Sequence, residues 1–156
     1  MPCLWTQPIV SYFNDLKVKS QLNVLPELWS KNWSACEFDS IYYTESMAGS
    51  AYLYNRLRDR GYRTLFFSGT NDAIVPTQGT QQWISAQGWN VTDAWRPYFY
   101  PVGPNTKQIV GYLESRDNFT FATVHNVGHF SAGGAKRAQI QKLVYAFVRG
   151  EKIDLL

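Results

Sequence analysis

Apolar and polar positions divide the chain into a helical opening, a mixed middle and a helical end. Between Ile9 and Val24, apolar residues recur at Val10, Phe13, Leu16, Val18 and Leu22, which predicts one or two short helices ended by Pro26. Residues 28–43 are aromatic without a period and read as loop and turn. From Ser46 to Arg60, the residues Met47, Tyr52, Leu53 and Leu57 share one helical side, and Gly61 is placed to close that helix. Thr64 to Phe67 is a continuous apolar run that predicts a buried parallel strand opening onto the turn-rich Ser68-Gly69-Thr70-Asn71-Asp72. Thr77 to Gln87 predicts a helix with a proline just before it. Ala94 to Tyr100, Gln108 to Leu113 and Phe119 to Val124 then predict three strands, separated by Pro101–Lys107 and Glu114–Asn118. The turn Asn126-Val127-Gly128-His129 leads to a last helix, Ala135 to Arg149, whose core face is Ile140, Leu143, Val144 and Phe147.

This order of elements predicts an α/β fold. Only 64–67 and 119–124 read as fully buried parallel strands, and two such strands make a poor sheet alone. The free edge of 64–67 would be bare and hydrophobic. The expectation is therefore one partial domain over 1–156, with its sheet incomplete within this chain.

Composition excludes several classes. The chain is 45% hydrophobic and 16% aromatic over 156 residues, enough for a packed core. Its net charge is +3, and its tightest basic cluster, Arg56, Arg58, Arg60 and Arg63, alternates with apolar residues as a solvated helix face does, so no nucleic-acid groove is expected. No stretch approaches the ~18 apolar residues a membrane span needs. Met1-Pro2-Cys3-Leu4-Trp5 lacks the basic-then-apolar form of a signal peptide. Three N-x-S/T sequons nevertheless place candidate glycan acceptors at Asn32, Asn90 and Asn118. A longer polypeptide upstream would reconcile the two observations. The two cysteines, Cys3 and Cys36, can pair with each other, remain thiols, or be halves of disulfides made elsewhere. Neither has metal-ligand spacing, so no metal or cofactor is expected.

Two residues carry candidate chemistry. Asp72 follows one buried strand and His129 follows the other, where functional groups of α/β sheets gather. An acid followed later by a histidine is the order in α/β-hydrolases, where the carboxylate orients an imidazole that takes a proton from a serine. Taken alone, Asp72 also reads as a turn aspartate and His129 as a structural histidine. His125 reads as a strand-end surface histidine. Trp83, Trp89, Trp95, Tyr98 and Phe99 read as sheet packing, with some of them candidates to line a cleft near Asp72.

The residues resemble a known family. Ser68-Gly69-Thr70-Asn71-Asp72-Ala73-Ile74-Val75-Pro76 is similar to the SGDxDxxVP stretch around the catalytic aspartate of serine carboxypeptidases. Phe119 to Val124 leading into Val127-Gly128-His129 is similar to that family's LTFATVRGAGH, and Val110-Gly111-Tyr112 to its GG(W/Y) turn. Trp95 and Tyr98 resemble its W-x-P-W strand. Upstream, Pro2-Cys3, Tyr12-Phe13-Asn14, Val18-Lys19, Leu22 and Trp33-Ser34-Ala35-Cys36 resemble its PC…YLN…V…AL…W..CS segment. The resemblance covers nearly the whole chain and about the last third of a typical member.

It implies the C-terminal part of an α/β-hydrolase sheet with flanking helices, with Asp72 as the triad carboxylate and His129 as general base. It also implies that Cys36 and Cys3 form disulfides with upstream cysteines. The sequence departs from the family at Thr70, where a second aspartate is usual. It departs again at Phe130, Ser131 and Ala132, where a V-P pair is common, and at Gly134 and Ala135, where a proline is expected. These departures bear on the pocket wall beside the histidine. The family's nucleophile sits in an upstream G-E-S-Y-A-G elbow. Thr44-Glu45-Ser46-Met47-Ala48-Gly49 imitates it, but β-branched Thr44 stands where a small residue is needed, so Ser46 reads better as a helix N-cap.

The expected function is thus that of a serine carboxypeptidase fragment acting on peptide C-termini in the vacuole, lysosome or extracellular space, needing its N-terminal portion to act. The alternatives are an inactive truncated product or pseudoenzyme that binds a partner, and a minimal hydrolase using Ser46.

Overall fold

A computed structural model describes residues 6–34, 44, 49–130, 132 and 134–155. Cys3, Cys36 and Ser46, on which the disulfide and nucleophile expectations fall, lie outside them. The chain forms two compact units, Met1–Met47 and Ala48–Leu156.

The first unit holds α1 (Thr6–Asn14), α2 (Leu16–Gln21) and a single 3₁₀ turn (Pro26–Leu28). Asp15 caps α2, its Oδ1 accepting from the backbone N–H of Lys17 at 2.8 Å and of Val18 at 3.2 Å. Asn14 ties α1 to the following segment. Its Nδ2 donates to the Trp33 carbonyl at 2.8 Å, and its Oδ1 accepts from the Trp33 N–H at 2.7 Å. Lys19 is buried, with its ammonium donating to the carbonyls of Trp29 at 2.9 Å and Lys31 at 2.7 Å.

The second unit runs α3 (Ala51–Asp59), β1 (Thr64–Gly69), α4 (Thr77–Ser85), β2 (Val91–Gly103), β3 (Thr106–Arg116), β4 (Phe119–Val124) and α5 (Arg137–Arg149). The four strands form one mixed sheet in the order β1-β4-β3-β2. The two apolar runs pair in parallel from Thr64↔Phe119 to Gly69↔Val124, so both strands end at the same edge of the sheet. The outer edge of β1 carries no strand among the described residues.

Side chains alternate across β4 with the period of two that a pleated strand imposes. Phe119 and Phe121 pack with Ile84, Trp89, Tyr54, Phe66 and Trp83 on the face of α3 and α4. Ala122 and Val124 pack with Tyr98, Leu113, Ile140 and Leu143 on the face of α5. Tyr98 is fully buried and donates its hydroxyl to the Thr123 carbonyl at 2.8 Å, and its burial pushes the phenol well above its ordinary value.

The hairpin β2–β3 is longer than its pattern predicts, since Pro101, read as the start of the intervening turn, lies inside β2. Proline donates no ladder hydrogen bond, so a sequence reading shortens the strand around it. Here β2 is the last strand of the sheet, with outward groups that need no further strand. The C-terminal segment partly covers that edge: the Phe99 N–H donates to the Asp154 carbonyl at 2.9 Å. Arg96, held within β2 by Asp93 at 2.7 Å, anchors the same segment through Asp154 at 2.6 Å and the Ile153 carbonyl at 3.0 Å. Arg63, just before β1, donates to the Phe147 and Val148 carbonyls at the end of α5, a favourable place for a cation.

Candidate active site

The parallel pairing of β1 with β4 delivers two loops side by side. Backbone bonds carry the pairing past the strands: the Thr70 N–H donates to the Val124 carbonyl at 3.0 Å and the Asn71 N–H to the Val127 carbonyl at 2.9 Å. The Asn126 N–H donates to Thr70 Oγ1 at 3.2 Å, and Asn126 takes a positive φ of 60° to turn the chain. Gly69 makes the approach sterically feasible, since a Cβ there would lie 2.3 Å from the Val127 carbonyl oxygen and 2.7 Å from that of Gly128. On the other side, Thr77 Oγ1 donates to the Gly69 carbonyl at 3.0 Å and pairs with Ser68 Oγ at 2.9 Å, fixing the end of β1 to the start of α4.

Asp72 divides its two oxygens between two tasks. Oδ1 accepts from the backbone N–H of Ile74 at 2.8 Å and of Val75 at 3.0 Å, the side-chain-capped turn that aspartate forms readily. Oδ2 lies 3.1 Å from His129 Nδ1. The Val75 N–H, the His129 ring and the Ile74 N–H hold the Asp72 carboxyl below its ordinary value of 3.8, against the cost of desolvation. A carboxylate only accepts hydrogen bonds, so Nδ1 must be the donor, and in the neutral ring the free lone pair sits on Nε2.

The Asp72 side chain is 9% exposed and that of His129 is 45% exposed. The carboxylate is thus shielded while the imidazole remains reachable, and Nε2 has no hydrogen-bond partner among the described residues. Such a pair takes a proton at Nε2 from a hydroxyl brought to it, and the carboxylate stabilises the imidazolium that results. Three large apolar side chains stand exposed around it: Ile74, Val75 and Phe130, the last at 86%.

Both residues singled out by sequence are therefore brought together. His125 is not part of the pair; its ring packs against Tyr112 at 5.6 Å, as a strand-end histidine would. Trp83 and Trp89 pack against the sheet beneath α3 and α4, and Trp95 stacks on Tyr112 at 5.8 Å. Sequence reasoning missed the supporting residues Gly69, Thr77 and Asn126. Gly69 and Asn126 left a signal, as turn formers where a buried run ends. Among the described residues no cluster of His, Cys, Asp or Glu can hold a metal.

Gly69→Ala is expected to push the two loops apart. The cost is about 1–3 kcal/mol of stability, the usual penalty of overpacking a site that cannot yield. A lowered denaturant midpoint with an unchanged slope, together with loss of the Asp72–His129 bond, would be the observed result.

Comparison with known proteins identifies similar chains. The family model described as serine carboxypeptidase matches residues 1–150. The chain is 30% identical over 155 residues to serine carboxypeptidase-like 21 of Arabidopsis thaliana, covering 98% of this chain and 30% of that protein. It is 30% identical over 131 residues to serine carboxypeptidase 1 of Hordeum vulgare, covering 83% of this chain and 25% of that protein. A solved structure, the prohormone-processing carboxypeptidase Kex1Δp of Saccharomyces cerevisiae, is similar with a TM-score of 0.43 and 22% identity over 50% of this chain and 18% of that one. The chain thus spans 30% or less of the length of these curated relatives. A family model that accounts for nearly every residue, in a chain where Asp72 and His129 meet at paired strand ends, places this polypeptide in the serine carboxypeptidase family.

Proposed function

We propose that this chain is the acid–base portion of a serine carboxypeptidase, which releases C-terminal residues from peptides through an acyl-enzyme. The observation that carries the reading is the 3.1 Å contact between Asp72 Oδ2 and His129 Nδ1, with the far side of the ring open. In the intact enzyme a serine from the remainder of the polypeptide meets His129 at Nε2. Its hydroxyl proton passes to Nε2 as Oγ attacks the scissile carbonyl. The imidazolium, held by Asp72, then returns that proton to the departing amine. Water repeats the sequence on the acyl-enzyme, giving its proton to Nε2 as it attacks and freeing the serine. No G-E-S-Y-A-G elbow occurs in these 156 residues, so the chain by itself is expected to give no turnover of a peptide with a blocked N-terminus. Hydrolysis by the purified chain that disappears in His129→Ala would contradict this and favour a minimal hydrolase using Ser46.

The vacuole, the lysosome or the space outside the cell is the compartment inferred for the intact enzyme, and an Asp72 carboxylate that stays charged below the ordinary 3.8 is compatible with the acidic ones. Its native carboxyl titrates below the unfolded value of 3.8. Near that pH the unfolded chain binds more protons than the native one, so stability rises with pH. The contribution is fully present above 3.8 and disappears as pH falls through the depressed native value. Asp72→Asn is therefore expected to lose less stability than wild type as pH falls below 3.8, read by urea unfolding at a series of pH values. Parallel curves for the two proteins would contradict this.

A further inference from the structure

The loop that carries Asp72 is closed at its base by a side chain. Residues 70–76 leave β1 at Gly69 and return at Thr77, the first residue of α4. The Gly69 carbonyl accepts twice, from the Asp72 N–H at 3.1 Å and from Thr77 Oγ1 at 3.0 Å. A hydroxyl has one proton, and that of Thr77 is committed to Gly69. Ser68 must therefore donate to Thr77 Oγ1 across their 2.9 Å contact, so the relay runs one way, from Ser68 to Thr77 to the Gly69 carbonyl. Ser68 is 7% exposed, and a bond so shielded from water is stronger than one on the surface. Pro76 caps α4 without a side-chain bond, and the Thr77 hydroxyl is turned back to the strand.

The two ends of the loop are held differently. Backbone bonds from Thr70 and Asn71 tie its start to the segment that leads to His129. The Asp72 Oδ1 bonds to the Ile74 and Val75 N–H groups fix the shape of the turn, but not where the turn sits. Thr77 supplies the hydrogen bond that ties the far end back to β1. We propose that Thr77 is a positioning residue whose clamp on the Gly69 carbonyl sets Asp72 Oδ2 against His129 Nδ1. Opening the clamp lets residues 72–76 move with the start of α4, and Oδ2 drifts from the 3.1 Å contact. The turn itself survives, because both Oδ1 bonds lie inside it. The consequence for turnover rests on the reading above that His129 is the base. A role confined to anchoring α4 would lower stability and leave the folded pair untouched.

Exchange of the His129 Nδ1 proton with water, followed by NMR of the folded ¹⁵N-histidine-labelled chain, reads the pair without any turnover. Thr77→Val keeps the side-chain shape and removes the hydroxyl. It is expected to speed that exchange by on the order of tenfold, because a hydrogen bond weakens steeply as it leaves alignment. Thr77→Ser restores the hydroxyl and should restore the wild-type rate. Ile84→Val trims a buried side chain of the same helix and should destabilise the protein without changing the exchange. In a polypeptide that joins this chain to the serine-bearing remainder, Thr77→Val should lower kcat about tenfold with KM within about twofold. Should Thr77→Val not fold, Ser68→Ala carries the test, with exchange about threefold faster for the loss of one bond to the clamp. Exchange at the wild-type rate in the hydroxyl-deleted variant, or an equal acceleration in Thr77→Ser or Ile84→Val, would overturn the proposal. Faster exchange with an unchanged kcat would uphold the clamp and contradict His129 as the base.

Discussion

His129→Ala is expected to lower kcat by about 10⁶-fold in a polypeptide that joins this chain to the serine-bearing remainder of a family member, because triad members act as a unit. Nε2 is the atom positioned to accept the serine proton, and Nδ1 is already committed to Asp72 at 3.1 Å. Alanine leaves the hydroxyl without a base and the departing amine without an acid. The backbone bonds that pair the two loops run through Thr70, Asn71, Val124 and Val127, none of which the substitution touches. His129 is also half exposed. The fold and KM should therefore change little while kcat collapses, measured as release of the C-terminal residue from an N-blocked dipeptide. A loss smaller than about tenfold would mean that His129 is not the base.

Asp72→Asn in the same polypeptide is expected to lower kcat by about 10⁴-fold with the fold intact, the effect of trapping the wrong imidazole tautomer. The asparagine carbonyl can still accept from the Ile74 and Val75 N–H groups, so the turn that presents the side chain survives. Its amide nitrogen then faces His129 and donates to Nδ1, which moves the ring proton to Nε2, the atom that must be free. Asp72→Ala differs, because it also removes both turn bonds. Its cost in stability, about 1–3 kcal/mol for orphaned N–H groups, separates the two substitutions in a urea titration. An Asp72→Asn enzyme with near wild-type kcat would show that the carboxylate charge has no part in catalysis.

Much of this geometry was legible in the sequence. Two uninterrupted apolar runs announced the buried strands, and the turn-forming residues after each announced the loops. Parallel pairing of the two runs, which the structure adds, sets Asp72 beside His129. What the sequence did not carry was contact between distant segments. Gly69 looked like an ordinary turn glycine, and only the nearby Val127 and Gly128 carbonyls reveal why a side chain cannot stand there. Thr77 looked like a helix-start residue, and its bond to the Gly69 carbonyl depends on the angle at which α4 leaves the loop. The hairpin was underestimated because Pro101 reads locally as a breaker, whereas it is tolerated in a terminal strand of the sheet. Arg63 read as one member of a solvated basic face, and its role at the last carbonyls of α5 spans 84 positions of sequence.

The account depends on Asp72 dictating where the His129 ring keeps its proton. Nitrogen NMR of the ¹⁵N-histidine-labelled chain, at a pH where the ring is neutral, reads this directly. Wild type should carry the proton on Nδ1, and Asp72→Asn should move it to Nε2. A wild-type ring protonated on Nε2, or a tautomer indifferent to residue 72, would contradict it.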